Sequence, residues 1–246
     1  MEERRVALIT GSSSGIGASI SRRLAAAGIR VVVNSARSEA AGTALAKELP
    51  DAVYVQGDVS EAADAERVVR TAVEAYGRLD ILVNNAGTTR FIPLDDLAGA
   101  DADAWREIFE VNVIGAWQMA TAAVPHLRAS GSGAIINVSS VSATRALGSS
   151  IPYAVSKAAL NHMTRLLASQ LGPEIRVNAI APGLIETPWY AEEDQVWENS
   201  REWITTHTPL RRVGVPADVA EAALYLANAT YTTGDVLTVD GGRHIV

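Results

Sequence analysis

Short apolar runs rich in β-branched residues alternate with segments of helical periodicity along almost the whole chain. VALIT (6–10), IRVVVN (29–34) and GAIINVSS (133–140) are three of about seven such runs, and amphipathic stretches separate them. The runs are apolar throughout, which is typical of strands buried on both faces. This order predicts an α/β fold, a single Rossmann-type doubly wound parallel sheet of about seven strands with helices on both faces.

One domain accounts for the whole length of 246 residues. No linker or low-complexity tract interrupts the alternation, so we expect a single domain over residues 1–246. The longest predicted helix runs from Asp103 to about Ala129. The one long irregular region, at about 184–214, is expected to be a substrate loop.

Composition and charge narrow the classes of function. Hydrophobic residues make up 48% of the chain, which argues against disorder, and the lack of cysteine excludes disulfides and thiolate metal sites. The net charge of -7 argues against nucleic acid as a partner. With no signal-peptide core and no apolar run long enough for a membrane span, we expect a soluble cytoplasmic protein. The four histidines lack metal-ligand spacing, so no metal is expected.

A glycine-rich segment, TGSSSGIG (10–17), follows the first predicted strand and opens the first predicted helix. Its glycines allow a tight turn and close approach of a ligand, and the helix N-terminus offers N–H groups to a pyrophosphate. The G-x-x-x-G-x-G spacing differs from the common dinucleotide fingerprint, but its place in a βαβ array favours a cofactor site over a purely structural turn. The expected contacts are Gly11, Ser13, Ser14, Gly15, Ile16 and Gly17.

The end of the second strand indicates which dinucleotide binds. NAD enzymes usually place Asp or Glu here to bind the ribose hydroxyls, whereas this chain has NSAR (34–37). Amide, hydroxyl and guanidinium groups can donate to a 2′-phosphate, so NADP(H) is favoured over NAD(H); the alternative is that Arg37 is an ordinary surface residue. The expected contacts are Asn34, Ser35, Ala36 and Arg37, with Asp58 and Val59 at the adenine, where Asp58 can also cap a helix.

A tyrosine and a lysine lie four residues apart in YAVSK (153–157), at the start of a predicted helix. Four residues place both side chains on one helix face, about 6 Å apart along the axis. An ammonium about 4.5 Å from a phenol, at an effective dielectric constant near 20, favours ionisation by on the order of 3.7 kcal/mol. We therefore predict that Lys157 lowers the pKa of Tyr153, the general acid and base; a surface pair without function is the alternative.

The ordered set of motifs resembles one known family. With the glycine loop at 10–17, NNAG at 84–87, YAVSK at 153–157 and VDGG at 239–242, the chain from residue 4 to about 242 resembles the short-chain dehydrogenases/reductases. It looks most like the 3-oxoacyl-carrier-protein reductases and the similar glucose and alcohol dehydrogenases. The resemblance implies hydride transfer between NADP(H) and a ketone or secondary alcohol.

The resemblance also implies roles for single residues. The family places its catalytic serine thirteen residues before the tyrosine, which selects Ser140 over Ser139. It implies that Asn112 kinks the long helix and holds a water on a proton path from Lys157, whereas a satisfied buried amide is the alternative for Asn112. The implied cofactor contacts are Asn85, Ala86 and Gly87, then Pro182, Gly183, Ile185 and Thr187, and Tyr153 and Lys157 themselves.

The family resemblance implies a homotetramer. The predicted helices at 103–129 and 152–171 would pair across one interface. The last strand and the tail VDGGRHIV would form another. The expected partners are therefore copies of this chain and a small-molecule substrate.

Aromatic residues in the 184–214 segment bear on the substrate. Trp189, Tyr190, Trp197 and Trp203 favour an apolar or ring-bearing molecule, although packing of the segment against its own helices or a neighbouring subunit is the alternative. Acidic residues lie among them, namely Glu192, Glu193, Asp194 and Glu198, and Arg90-Phe91-Ile92 and Ala146-Leu147-Gly148 are expected to line the same pocket.

Other functions remain as alternatives. The first is reduction of a 3-oxoacyl thioester on acyl-carrier protein or coenzyme A. The basic positions that an acidic carrier would need are mostly Ser, Gly, Pro and Glu here, which weakens that reading. A catalytically silent NADP-binding sensor or scaffold is the alternative of another class, and the presence of serine, tyrosine and lysine together argues against it. A dehydratase or epimerase of the extended relatives fits poorly, because those enzymes have another glycine pattern and a longer C-terminal domain.

Overall fold

A parallel sheet forms the centre of the computed structural model, which describes residues 4–190 and 194–246. Its strands are β1 (Val6–Ile9), β2 (Arg30–Ser35), β3 (Ala52–Gln56), β4 (Ile81–Asn84), β5 (Gly133–Val138), β6 (Ile175–Pro182) and β7 (Val236–Val239). They lie in the order β3-β2-β1-β4-β5-β6-β7, and all neighbouring pairs are parallel. The predicted fold class is confirmed.

Helices cover both faces of the sheet. They are α1 (Gly15–Ala26), α2 (Glu39–Glu48), α3 (Ala62–Tyr76), α4 (Ala102–Phe109), α5 (Ala116–Ala129), α6 (Ile151–Leu171), α7 (Asp194–His207) and α8 (Pro216–Asn228). Among the described residues, no helix is long and apolar enough to cross a membrane.

Burial on both faces explains why the strands are apolar without alternation. In β1, Ala7 and Ile9 join the hydrophobic cluster that contains residues of α1, α2 and α8. Val6 and Leu8 point to the opposite cluster, which contains residues of α3, α5 and α6. All four side chains have no exposed surface. Because neither face meets water, polar chemistry is confined to the ends of the strands.

The helix predicted from Asp103 to about Ala129 is continuous but not uniform. α4 passes into a π-helical segment, Glu110–Gly115, and then into α5. Asn112 lies inside this segment, so the helix is distorted at the residue where the family resemblance implied a kink. A Cβ on Gly115 would lie 2.8 Å from Cγ2 of Val59, so a glycine is required where the helix passes the end of β3.

The segment at 184–214 differs from the prediction of an irregular loop, because it contains the 14-residue helix α7. Its apolar residues come only in two pairs, Val196-Trp197 and Trp203-Ile204, with polar residues between them, and Ile204 is its one buried hydrophobic side chain among those described. Polar pairs one turn apart, such as Glu198 with Arg201, accompany the helix. Glu192 and Glu193 and the side chain of Asp194 lie outside the described residues.

The strand order reverses between β1 and β4, and this places a crevice at one edge of the sheet. From β1 the chain proceeds outward to β2 and β3, and it then returns to add β4 to β7 on the other side. The loops that leave β1 and β4 therefore diverge. In parallel α/β sheets, ligands bind at the carboxyl ends of the strands beside such a reversal.

Candidate active site

A cavity of about 740 Å³ opens at the carboxyl ends of the strands. It is lined by loops that follow β1, β2, β3, β4, β5 and β6, and by the start of α6. The cavity brings together these sequence-predicted residues: Gly11, Ser14, Gly15, Ile16, Asn34, Ser35, Ala36, Arg37, Asp58, Val59, Asn85, Ala86, Gly87, Ser140, Tyr153, Lys157, Pro182, Gly183, Ile185 and Thr187. Of the residues predicted for catalysis or cofactor binding, Ser13, Gly17 and Asn112 do not line it. Of the two segments predicted to line the pocket, Phe91, Leu147 and Gly148 do so, and Arg90, Ile92 and Ala146 do not.

The glycine loop is held tightly against the neighbouring strand loop. Gly11 has φ 60° and a Cβ there would lie 2.8 Å from Cα of Ala86. Asn85 donates its side-chain amide to the carbonyl oxygens of Thr10 and Gly11, each at 2.9 Å. Gly17 supports the loop from below, because a Cβ there would lie 2.5 Å from Nδ2 of Asn85. The first turn of α1 is thus fixed at the cavity, and its N–H groups suit an anion.

The end of β2 departs in part from the prediction. The Asn34 amide was expected to donate to a cofactor phosphate, but it is buried and donates instead to the carbonyl oxygens of Val55 and Gly57, at 3.1 and 3.0 Å. The Ser35 hydroxyl lies 2.9 Å from the Tyr54 hydroxyl. Both groups hold β2 against β3. Arg37 is exposed at the cavity, and no carboxylate among the described residues pairs with it.

Asp58 fixes the turn after β3 but does not cap a helix, because α3 begins after Glu61. One carboxylate oxygen accepts from the backbone N–H of Ser60 at 3.0 Å and from its hydroxyl at 2.6 Å. The Asp58 N–H donates to the Asp64 carboxylate at 2.9 Å. Asp58 and Val59 still line the cavity, so this structural role is compatible with an adenine contact.

A serine, a tyrosine and a lysine meet where β5 ends and α6 begins. The Ser150 hydroxyl caps α6 by accepting from the Tyr153 N–H, which sets Tyr153 in the first turn and Lys157 one turn later. The Lys157 ammonium lies 5.7 Å from the centre of the Tyr153 ring and donates to the carbonyl oxygen of Val138 at 2.9 Å. The Ser140 hydroxyl accepts from that of Ser142 at 2.7 Å.

The other serine at the end of β5, Ser139, directs its hydroxyl to the backbone of α6. Ser139 is buried and donates its hydroxyl to the carbonyl oxygen of Lys157 at 3.2 Å, whereas Ser140 lies beside Tyr153. Both serines border the cavity, but the Ser139 hydroxyl is used to fix α6. This geometry favours Ser140 as the hydroxyl directed at a substrate, in agreement with the count from the tyrosine.

Asn112 braces the site from the π-helical segment. Its amide donates to the Thr88 carbonyl oxygen and to the Ser156 hydroxyl, both at 3.0 Å, and its oxygen accepts from the Thr88 N–H at 2.8 Å. Asn112 is therefore a buried amide whose hydrogen bonds are made within the protein, which is the alternative that the sequence left open. A Cβ on Gly87 would lie 3.3 Å from the Asn112 oxygen and 3.5 Å from the Lys157 ammonium, so both groups face Gly87.

Aromatic side chains wall the cavity beyond the tyrosine. Phe91, Trp189 and Tyr190 line it, and the ring centres of Phe91 and Tyr190 lie 5.7 Å apart. Trp197 does not line the cavity but packs on Tyr190, with 5.4 Å between ring centres. The Trp189 ring centre is 6.1 Å from that of Tyr153. Val196, Ser200 and Arg243 also line the cavity and were missed, since α7 was not anticipated and Arg243 follows a turn that the sequence marks only by Gly-Gly.

The chain was compared with known families and proteins. The family model described as "Enoyl-(Acyl carrier protein) reductase" matches residues 11–244. The chain is 60% identical over 244 residues to the Streptomyces violaceoruber protein named "Granaticin polyketide synthase putative ketoacyl reductase 2", covering 99% of this chain and 98% of that protein. The chain belongs to the short-chain dehydrogenase/reductase family.

Other members of the short-chain dehydrogenase/reductase family match at lower identity. The 3-oxoacyl-[acyl-carrier-protein] reductase of Thermotoga maritima is 38% identical, with 98% of each chain covered. L-fucose dehydrogenase of Oryctolagus cuniculus is 38% identical, covering 98% of this chain and 85% of that protein. The structure of a short-chain dehydrogenase/reductase of the glucose/ribitol dehydrogenase type from Brucella melitensis superposes with TM-score 0.89 at 30% identity, covering 98% and 96% of the two chains.

As a short-chain dehydrogenase/reductase, the chain is an NAD(P)-dependent oxidoreductase, and its cavity fits the nicotinamide cofactor. The fit rests on the glycines: side chains at Gly11 or Gly17 would collide with the neighbouring loops, so the backbone at the start of α1 stays accessible. Thr187 faces Gly15 across this loop, 3.5 Å from where a Cβ would lie. The pyrophosphate would be held here.

Burial governs the ionisation of the catalytic candidates in this short-chain dehydrogenase/reductase. Burial raises the pKa of Tyr153 well above its ordinary value; Tyr190 adds to the rise, and the hydrogen bond with Ser140 opposes it. Burial lowers the pKa of Lys157 to about 8. The predicted lowering of the Tyr153 pKa is therefore wrong for the protein without its cofactor. The prediction considered the charge of Lys157 but not the burial of both side chains.

Replacing Lys157 by Met should stabilise the protein at neutral pH. The pKa of the lysine falls from 10.5 in the unfolded chain to about 8 in the folded one, so the buried ammonium costs on the order of 3 kcal/mol below pH 8. Between pH 8 and 10.5 only the unfolded chain keeps the proton, and the wild-type free energy of unfolding rises toward that of the variant. Denaturant unfolding from pH 7 to 10 measures the difference.

The control is Lys47→Met, which removes an exposed lysine from α2. It should leave the free energy of unfolding within about 0.5 kcal/mol of wild type across the same pH range. A difference between Lys157→Met and wild type that does not change with pH would show that the lysine has an ordinary pKa in the folded protein.

Proposed function

We propose that this enzyme uses NADPH to reduce a ketone on a ring-bearing small molecule. The observation that carries the proposal is that Ser140, Tyr153 and Lys157 share one cavity with the glycine loop and the aromatic wall. The relative named as a polyketide ketoacyl reductase supports a ketone of polyketide type as the substrate. Reduction of a 3-oxoacyl thioester is the alternative within the same reaction class, supported by the Thermotoga maritima relative.

Ketone reduction requires a hydride on carbon and a proton on oxygen. When bound, the reduced nicotinamide supplies the hydride. Tyr153 gives the proton, and its raised pKa keeps the phenol protonated at neutral pH, in the form that reduction needs. Ser140 donates a hydrogen bond to the same oxygen and stabilises the charge that develops there.

Lys157 acts on the tyrosinate that remains after proton transfer. Its ammonium lies close to the phenol ring and is held by the Val138 carbonyl oxygen. A positive charge at this place stabilises the anion in a site where water is excluded. Because burial lowers the pKa of Lys157 to about 8, the charge is present at pH 7 and is lost as the pH rises through that value.

Tyr153→Phe should lower the rate of ketone reduction by at least about 10²-fold, because it removes the transferred proton and leaves the ring in place. Absorbance of NADPH with a panel of aryl ketones measures the rate, and fluorescence titration measures the Kd for NADPH, which should stay near the wild-type value. Tyr225→Phe removes an exposed hydroxyl from α8 and is the matched control. A Tyr153→Phe rate above about a tenth of wild type would rule out the assigned role.

Arg37 supports NADPH as the cofactor. It is the one arginine that lines the cavity near the end of β2, and the strand end offers no Asp or Glu for the ribose hydroxyls. A guanidinium suits a 2′-phosphate. Since Asn34 is committed to backbone carbonyls, the preference would rest mainly on Arg37.

Arg37→Ala should lower kcat/KM for NADPH by about tenfold and leave that for NADH nearly unchanged. Steady-state kinetics with both cofactors give the ratio of kcat/KM for NADPH to kcat/KM for NADH. Arg70→Ala, which removes an exposed arginine from α3, serves as the control and should not change it. Equal losses for NADPH and NADH in Arg37→Ala would contradict the proposed preference.

We propose a homotetramer on the strength of exposed apolar side chains. Trp117 on α5 and Val155 and Leu166 on α6 are 49%, 42% and 54% exposed. These helices are the pair for which the family resemblance implies an interface.

Light scattering of the wild-type protein should give the mass of four chains. Trp117→Glu should give a smaller assembly, whereas Arg70→Glu on α3 should not. A monomeric wild-type protein would contradict the proposal.

A further inference from the structure

The chain after β7 folds back to the cavity and is held there. Gly241 and Gly242, with φ 66° and 87°, turn the backbone after Asp240. The Asp240 carboxylate accepts from the N–H groups of Gly242 and His244, at 2.9 and 2.7 Å, and lies 2.9 Å from Nδ1 of His244. Arg145 donates to the carbonyl oxygens of His244 and Val246, both at 2.6 Å. Arg243 sits in the middle of this fixed turn.

The guanidinium of Arg243 reaches the aromatic part of the cavity. It lies 5.3 Å from the centre of the Trp203 ring and lines the cavity together with Phe91, Trp189 and Tyr190. Its Nε is buried and has no hydrogen-bond partner. Within 4–190 and 194–246, no carboxylate lies within 4.0 Å of it, and the oxygens of Asp240 are engaged by Gly242 and His244.

A buried Nε–H without an acceptor is costly, so this arrangement calls for a ligand. Stacking on Trp203 satisfies the face of the guanidinium but not this N–H group at its edge. Desolvation also lowers the pKa of Arg243, although an arginine keeps its charge at neutral pH. A negatively charged group on the substrate would satisfy both the charge and the donors.

We propose that Arg243 binds a carboxylate of the ketone substrate, so that the enzyme reduces a ring-bearing keto acid rather than a thioester. A planar carboxylate can take two parallel N–H donors from one guanidinium. The proposed 2′-phosphate contact, Arg37, follows β2, whereas Arg243 follows β7 at the opposite edge of the sheet.

This inference rests on the proposed function, because it names a group of the substrate of that same site. It is tested with 4-(2-naphthyl)-4-oxobutanoate and its methyl ester, which share the ring and the ketone and differ in charge. Wild-type enzyme should reduce the acid with a kcat/KM at least about tenfold above that of the ester. Arg243→Met should remove most of this difference by lowering kcat/KM for the acid alone.

Two further variants sharpen the test. Arg243→Lys keeps the positive charge but loses the two parallel N–H donors of the guanidinium, so it should retain part of the preference for the acid. Arg211→Met removes a nearby exposed arginine that does not line the cavity and should keep the full preference. Equal losses for acid and ester in Arg243→Met would show that Arg243 only packs against Trp203, and no loss would show that it does not meet the substrate; either result overturns the proposal.

A binding experiment separates this inference from the proposed function. Calorimetry with NADP+ present measures the Kd of the same acid and ester without turnover, because the oxidised cofactor cannot reduce a ketone. The acid should bind wild type at least about tenfold more tightly than Arg243→Met, with the ester unchanged. If no ketone is reduced but this difference holds, the proposed function fails and the anion site stands. Equal binding of acid and ester by wild type overturns the anion site.

Discussion

Burial of the sheet on both faces is the constraint on which the rest of this protein depends. Strands such as β1 have no exposed side chain, and a polar residue inside the sheet such as Asn137 in β5 bonds other buried groups, so the groups that can reach a ligand follow the strands. All seven strands are parallel, and their carboxyl ends lie along one edge. The glycine loop, Arg37, Ser140 and the turn that carries Arg243 are consequences of that one geometry.

The same burial sets the chemistry of the catalytic candidates. Burial raises the pKa of Tyr153, which keeps the phenol protonated, and it lowers the pKa of Lys157, which destabilises the ammonium. Under the proposed mechanism this lysine weakens the fold but would stabilise a tyrosinate, which is a trade of stability for function. The Val138 carbonyl and the Ser139 hydroxyl, which bonds the Lys157 carbonyl, fix α6 so that this costly charge stays in one place.

The sequence was enough to predict the strands and the pairing of Tyr153 with Lys157, because strand periodicity and helical spacing are local signals, whereas the choice of Ser140 came from the family resemblance. It was not enough for the roles that depend on neighbours. The donors of Asn34 go to β3, and the pKa of Tyr153 rises, because both properties depend on packing that no local pattern records. Helix α7 was missed for a related reason, since only two short apolar pairs mark it and most of its side chains are exposed.

The residues proposed to select the substrate lie in the segments that follow the strands, where the sheet constrains the sequence least. Phe91, Trp189 and Tyr190 form an aromatic wall, but apolar contact by itself discriminates weakly between similar molecules. A single charged donor in such a wall discriminates strongly, because a ligand without its partner leaves the donor buried and unpaired. Under the proposal Arg243 would have that role, and the hydrogen bonds of Arg145 and Asp240 fix the turn that carries it.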